Sequence, residues 1–154
     1  MSERTVWAVV AYRTGQWLLE PGKPLLRRVL RVPYGFVLTA VQAATGVEIV
    51  PTTAIGPGLR IYHGTGLVVN SGAVIGARAV LRQGVTIGAR EAGGREFPVI
   101  GDGVEFGAYA QVFGGVRVGD GARIGSLSVV LSDVPAGCTA VGAPARVIAP
   151  KATV

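Results

Sequence analysis

Residues 100–130 read IGDGVEFGAYAQVFGGVRVGDGARIGSLSVV, and a large apolar side chain stands at every sixth position: Ile100, Phe106, Val112, Val118, Ile124 and Val130. A step of six is neither the 3.6-residue period of a helix nor the two-residue alternation of a long strand. It fits short strands joined by tight turns, each strand turning one side chain into a shared interior. Glycine directly follows Ile100, Phe106, Val118 and Ile124, supplying the backbone conformations that turns demand. Three such strands make one triangular coil of about eighteen residues, and stacked coils bury one continuous column.

The same step runs backwards through the chain. Ile49, Ile55 and Ile61 form one register, and Val69, Ile75, Leu81 and Ile87 a second. The thirteen units predict a little over four coils. Four positions beyond several of them sits another small or aliphatic residue: Ala73, Ala79, Val104, Ala110, Ala122 and Ser128. The register breaks twice. From Ile61 to Val69 the step is eight, around His63-Gly64-Thr65-Gly66; from Ile87 to Ile100 it is thirteen, within Ala89 to Pro98. Insertions in a solenoid map to loops, and loops on a rigid scaffold carry function. The single histidine of the chain lies in one of these breaks.

Composition agrees with a mainly β, turn-rich chain. Of 154 residues, 24 are glycine and 9 proline, while aromatic residues make 6% and charged residues 16%. Low charge with high aliphatic content excludes intrinsic disorder, and so many glycines disfavour a helical bundle. The net charge of +6 has no accompanying Lys/Arg run or aromatic interleaving, so no nucleic-acid partner is expected. One cysteine, Cys138, excludes an internal disulfide framework; it reads as a packing residue, and no metal site is expected.

Residues 1–46 differ from the rest and read as an N-terminal helical segment, ahead of a β-helix over 47–148 and a tail over 149–154. Val6, Val9, Val10, Trp17 and Leu18 fall at spacings of one helix face, Glu20-Pro21-Gly22 breaks that helix, and a second runs from Leu25 to Ala44. The least charged stretch, Val32 to Ala44, is too short to span a membrane and contains Pro33, Gly35 and Gln42. This segment carries +4 of the +6. Two readings stand: helices packed on the main domain or at a subunit interface, and a basic amphipathic segment in peripheral contact with the inner membrane face. The start of the chain does not read as a secretory leader, so a cytoplasmic location is expected.

The text resembles the hexapeptide-repeat acyltransferases with a left-handed parallel β-helix, and within them the serine acetyltransferase branch. The resemblance rests on Val47-Glu-Ile-Val-Pro51, Ile61-Tyr-His-Gly-Thr-Gly66, Gly84-Val-Thr-Ile-Gly88, Pro98-Val-Ile-Gly-Asp-Gly103, Ser128-Val-Val-Leu-Ser-Asp-Val-Pro135 and Val141-Gly-Ala-Pro-Ala-Arg-Val147. It implies a homotrimer with acetyl-CoA as co-substrate in a groove between neighbouring β-helices. It implies His63 as general base and Glu48 as the acid that orients it, where the family has Asp.

Several positions depart from the serine enzymes. Tyr62 stands where they carry an acid, Phe97 where they carry a second histidine, and Glu96 where they carry an arginine. Gly66-Leu-Val-Val-Asn70 and Leu81-Arg-Gln-Gly-Val-Thr-Ile-Gly88 resemble instead short relatives that O-acetylate sugars in polysaccharide biosynthesis. The expectation is therefore an O-acetyltransferase acting on a sugar or glycan, lipid-linked in one version, with serine O-acetylation and a non-catalytic scaffold as alternatives.

Acetyl transfer to a hydroxyl needs a base with a pKa near working pH, for which imidazole is suited. A carboxylate on the other ring nitrogen fixes the tautomer, and N–H donors must meet the developing oxyanion. By family position the backbone at Ala89 is the candidate donor. Tyr62, Asn70, Arg82 and Gln83 are candidate acceptor contacts. Gly107-Ala108 and Gly125-Ser126 are small enough for a pantetheine arm, and Arg146 and Lys151 are candidates for the CoA phosphates. Leu127 stands where the family has Gly, which narrows that groove.

Overall fold

The computed structural model describes residues 3–149. Two helices, α1 (Glu3–Leu19) and α2 (Pro24–Thr45), precede a solenoid of short strands. Helix α2 starts on a proline, whose missing N–H costs nothing in a first turn, and ends at Gly46 with φ 67°, where the Gly46 N–H donates to Gln42 O at 2.8 Å. Among the described residues no helix is long and apolar enough to cross a membrane.

From residue 47 the chain winds through three sheets in rotation. The first holds β1 (Val47–Ile49), β4 (Leu67–Val69), β7 (Thr86–Gly88), β10 (Gln111–Phe113) and β13 (Val129–Val130). The second holds β2 (Ala54–Ile55), β5 (Val74–Ile75), β8 (Val99–Ile100) and β11 (Arg117–Val118). The third holds β3 (Arg60–Tyr62), β6 (Val80–Arg82), β9 (Glu105–Phe106), β12 (Arg123–Ile124), β14 (Thr139–Val141) and β15 (Arg146–Ile148). All pairings are parallel except β14 with β15, which closes the far end antiparallel. The fold is a parallel β-helix of hexapeptide repeats. Its first sheet is five strands deep, one level more than the count of repeat units suggests as complete.

All thirteen six-step residues point inward, each at most 6% exposed. In register they stack as three columns, for example Ile49, Val69, Ile87, Val112 and Val130 through the first sheet. Each buried aliphatic contributes about 1.5–3 kcal/mol relative to exposure. At the corner between the second and third sheets, carboxylates bind backbone from turn to turn. Asp102 Oδ1 accepts from the Ala77 N–H (2.8 Å), and Asp120 Oδ1 from the Asp102 N–H (2.7 Å).

Helix α1 closes the open first coil. Thr5 Oγ1 donates to Ile61 O (2.9 Å), Tyr12 Oη to Thr53 O (2.6 Å) and Arg13 Nη1 to Ile55 O (2.8 Å), meeting carbonyls with no earlier coil to pair with. The face expected from Val6, Val9, Val10, Trp17 and Leu18 is not the buried one. Thr5, Ala8, Ala11, Tyr12, Gly15 and Leu18 are buried, whereas Val6, Val10 and Trp17 are exposed. Small residues win because α1 lies close to its neighbours: a Cβ on Gly15 would strike Tyr34 and Pro51.

Candidate active site

The eight-residue step places His63 just beyond β3, where the third sheet turns towards the first. Its imidazole is exposed and its φ is 54°, a left-handed conformation that costs a non-glycine residue about 1–3 kcal/mol and clusters at functional sites. The surrounding corner holds it there. Gly64 is buried with no room for a Cβ beside Val47, its carbonyl accepts from the Leu67 N–H at 3.0 Å, and Thr65 O accepts from the Gly84 N–H at 3.0 Å.

Register then builds a row along one margin of the third sheet. Tyr62 pairs with Arg82; Gly107 and Gly125 follow the next two strands; Val141 pairs with Arg146 across β14 and β15. Five strand-to-strand steps at about 4.8 Å give a track of roughly 24 Å from the His63 corner to Arg146. Within it lies a cleft of about 360 Å³ lined by Val80, Arg82, Glu105, Phe106, Gly107, Arg123, Ile124, Gly125 and Ser126. Arg82, Gly107, Gly125 and Ser126, singled out from sequence, meet in this cleft, and Ala108 borders it, its carbonyl accepting from the Leu127 N–H at 2.9 Å. Gln83 continues the corner, its carbonyl accepting from the Tyr109 N–H at 2.8 Å. Arg123 and Glu105, 4.0 Å apart, were missed: nothing in a six-residue period marks which outward residues share a cleft.

Other candidates lie elsewhere. Glu48 is exposed on β1, in the same coil as His63 but on another sheet, and no hydrogen bond joins the two. Asn70 and Ala89 flank the far margin of the first sheet, where Asn70 Oδ1 accepts from the Gly72 N–H (3.2 Å) and Asn70 Cβ lies over Gly88. A three-residue strand of about 10 Å separates that margin from the His63 corner. Lys151 lies outside the described residues.

The thirteen-residue step forms a loop over 89–98 that touches both an earlier and a later turn. Phe97 lies against Gly72, and Arg90 Nη2 donates to Leu131 O at 3.1 Å. Loop and body enclose about 750 Å³ lined by both charge signs, Arg90, Arg95, Glu91, Glu96 and Asp133 among them. Arg95, Glu91 and Glu96 make no ion pair among the described residues.

The β-helix, with its histidine corner opening into a long cleft, is similar to the hexapeptide-repeat transferases; residues 97–132 match the family described as bacterial transferase hexapeptide (six repeats). Within that class the fold is serine acetyltransferase-like. Serine acetyltransferases of Synechococcus elongatus and Escherichia coli are 39% and 42% identical over 142 residues, covering 92% of this chain and 55% and 50% of those proteins. The structure of soybean serine acetyltransferase superposes with TM-score 0.82 at 36% identity, covering 96% of this chain and 58% of that one. A serine acetyltransferase complex with CoA does so with TM-score 0.80 at 32% identity, again covering 96% and 58%. The chain thus spans about half the length of the curated relatives it matches.

These similarities overturn the expectation of a sugar or glycan acceptor and of kinship with polysaccharide O-acetyltransferases. The fold explains the error. The wording that suggested sugars, residues 66–70 and 81–88, is largely strands β4, β6 and β7, with Leu67, Leu81 and Ile87 fully buried. Much of that wording therefore reports packing of the solenoid and does not distinguish a sugar from another acceptor.

Proposed function

We propose that the chain transfers acetyl from acetyl-CoA to the hydroxyl of serine. The observation that carries this reading is 39–42% identity to serine acetyltransferases over 92% of the chain. His63 takes the proton from the serine hydroxyl as its oxygen attacks the thioester carbonyl. The tetrahedral oxyanion is met by backbone N–H groups near Ala89. The C–S bond then breaks, and the CoA thiolate takes the proton back from the imidazolium. O-acetylserine and free CoA leave, and no acyl-enzyme is formed.

Acetyl-CoA is read along the track. Gly107, Ala108, Gly125 and Ser126 offer bare backbone to the pantetheine arm, with Arg82 near its reactive end and Arg146 and Lys151 at its phosphates. Asn70 and Ala89 lie across the first sheet from His63 of the same chain, so a neighbouring copy must supply them; a homotrimer, as the resemblance implies, meets that need. Glu48 is assigned to orient His63, with Tyr62 and Gln83 bordering the acceptor. The family's residues for an amino acid's charges are replaced at Tyr62, Glu96 and Phe97, but the loop cavity holds free Arg95, Glu91 and Glu96 that suit a carboxylate and an ammonium. The reaction is assigned to the cytoplasm on the resemblance to serine acetyltransferases.

The test is thiol release from acetyl-CoA with serine. Turnover is expected to fall about 10²–10⁴-fold in His63→Ala. Turnover unchanged in that variant, or absent with serine in the parent protein, overturns the reading.

A further inference from the structure

At 3.6 residues per turn, one stripe of helix α2 runs through Val41, Leu38 and Tyr34 and then, one and two turns earlier, through Arg31 and Arg27. The first three are half-buried against the body of the molecule. The two arginines border a cavity of about 240 Å³ between α1, α2 and the first coil, with Leu18, Tyr34, Val50 and Pro51 among its other walls. One side of it is tightly built: a Cβ on Gly15 would strike Tyr34 and Pro51, and Tyr34 Oη donates to Ala11 O at 2.9 Å. An inner stripe that changes from apolar to cationic breaks the pattern of an amphipathic helix, and such local conflicts gather at functional sites.

Among the described residues no acid lines this cavity, and Arg27 and Arg31 make no ion pair and no side-chain hydrogen bond. The carbonyl end of α1 does not need them: Lys23 Nζ serves it, donating to Trp17 O at 3.2 Å and pairing with Glu20 at 2.7 Å. Nor do they suit their own helix. Like charges four residues apart repel, cations in the first turns oppose the helix dipole, and α2 has no acid in its first turn to answer them. An anion held between the two guanidiniums removes both conflicts. Arginine forks match a carboxylate bidentately, and Cβ atoms four residues apart lie about 5–6 Å from each other, close enough to share one. Leu18, Val50 and Pro51 add an apolar wall that a hydrated inorganic anion leaves unused. The volume falls below the roughly 300–1,000 Å³ of sites for drug-sized ligands, which sets the ligand at the size of a small metabolite. We propose that this cavity binds a small organic carboxylate, its apolar body on Leu18, Val50 and Pro51 and its charge between Arg27 and Arg31. The site uses neither His63 nor the cleft, so it stands or falls apart from the acetyl-transfer reading.

The experiment is isothermal titration calorimetry of the full chain with 3-phenylpropanoate and hexanoate, beside the neutral 3-phenylpropanamide and inorganic phosphate. Saturable binding of the carboxylates is expected, at least about tenfold tighter than the amide and weakened about tenfold or more per arginine when Arg27→Gln and Arg31→Gln are introduced. Arg28→Gln is the control: Arg28 is exposed on the same helix but does not line the cavity, and binding is expected to hold. The ligand-free double variant is expected to keep or raise its thermal midpoint, because the repulsion along α2 is relieved. Neither carboxylate binding at about 10 mM, ten times a millimolar Kd, overturns the inference, as does binding that the double variant leaves unchanged or that Arg28→Gln weakens equally. An amide or phosphate that binds as tightly as the carboxylates overturns it too, for then charge and apolar body are not read together. A lower midpoint in the ligand-free double variant would show that the arginines serve the fold and not a ligand.

Discussion

Leu127 occupies the corner between the third and first sheets with φ 58°, the position that Gly66 and Gly84 hold in earlier turns with φ 72° and 67°. Left-handed backbone costs an L-residue about 1–2 kcal/mol. Glycine pays no such cost but loses about 0.5–1 kcal/mol more in entropy on folding. Leu127 is 71% exposed, so little apolar burial is lost with its side chain. The balance for Leu127→Gly is a gain of about 0.5 kcal/mol, or roughly 1–2 °C in thermal midpoint for a chain of this size. Tyr109 is the control. It shares the conformation at φ 59°, but its ring covers Gly84 and it is 53% exposed. Tyr109→Gly forfeits that contact and is expected to destabilise by about 1 kcal/mol. Differential scanning calorimetry of both variants is the assay. A lower midpoint for Leu127→Gly, or equal shifts in the two, would refute the argument that corner strain rather than packing governs this site. The same change widens the cleft beside Ser126, so KM for acetyl-CoA is expected to fall or hold.

Arg146→Ala, at the far end of the track, is expected to raise KM for acetyl-CoA about five- to tenfold with kcat unchanged; a fall in kcat with KM fixed would remove it from the phosphate end. Tyr12 has its pKa raised above 10.0, chiefly by burial and against the opposing charge of Arg13, and Tyr34 is raised by burial alone. The fold therefore holds the neutral phenols: their contribution is whole below the unfolded value of 10.0 and is lost as pH climbs past it. Denaturant midpoints measured from about pH 8 to 11.5 should drop above pH 10, and less steeply in Tyr12→Phe, which also gives up the hydroxyl's bond to Thr53 O; equal slopes would contradict the assignment.

The six-residue step was sufficient to name the solenoid core, because a two- or three-residue strand buries one side chain per face and the period copies that count directly. The break at His63 was legible for the same reason, since an insertion is visible only against a strict repeat. Helix α1 was misread because burial there follows closeness of approach, which favours Ala8, Ala11 and Gly15 over larger residues and leaves no hydrophobic signal. The acceptor was misread because strand residues that fill a shared core look alike whatever the protein acts on. Which outward residues become neighbours was decided only by stacking. Insertions of two and seven residues are absorbed in loops without shifting the strands, so Arg82, Gly107, Gly125 and Arg146, far apart in the chain, fall on one track, while Asn70 and Ala89 fall on the opposite margin of the first sheet from His63. A linear text states the period; only closure of each turn onto the last states the corner.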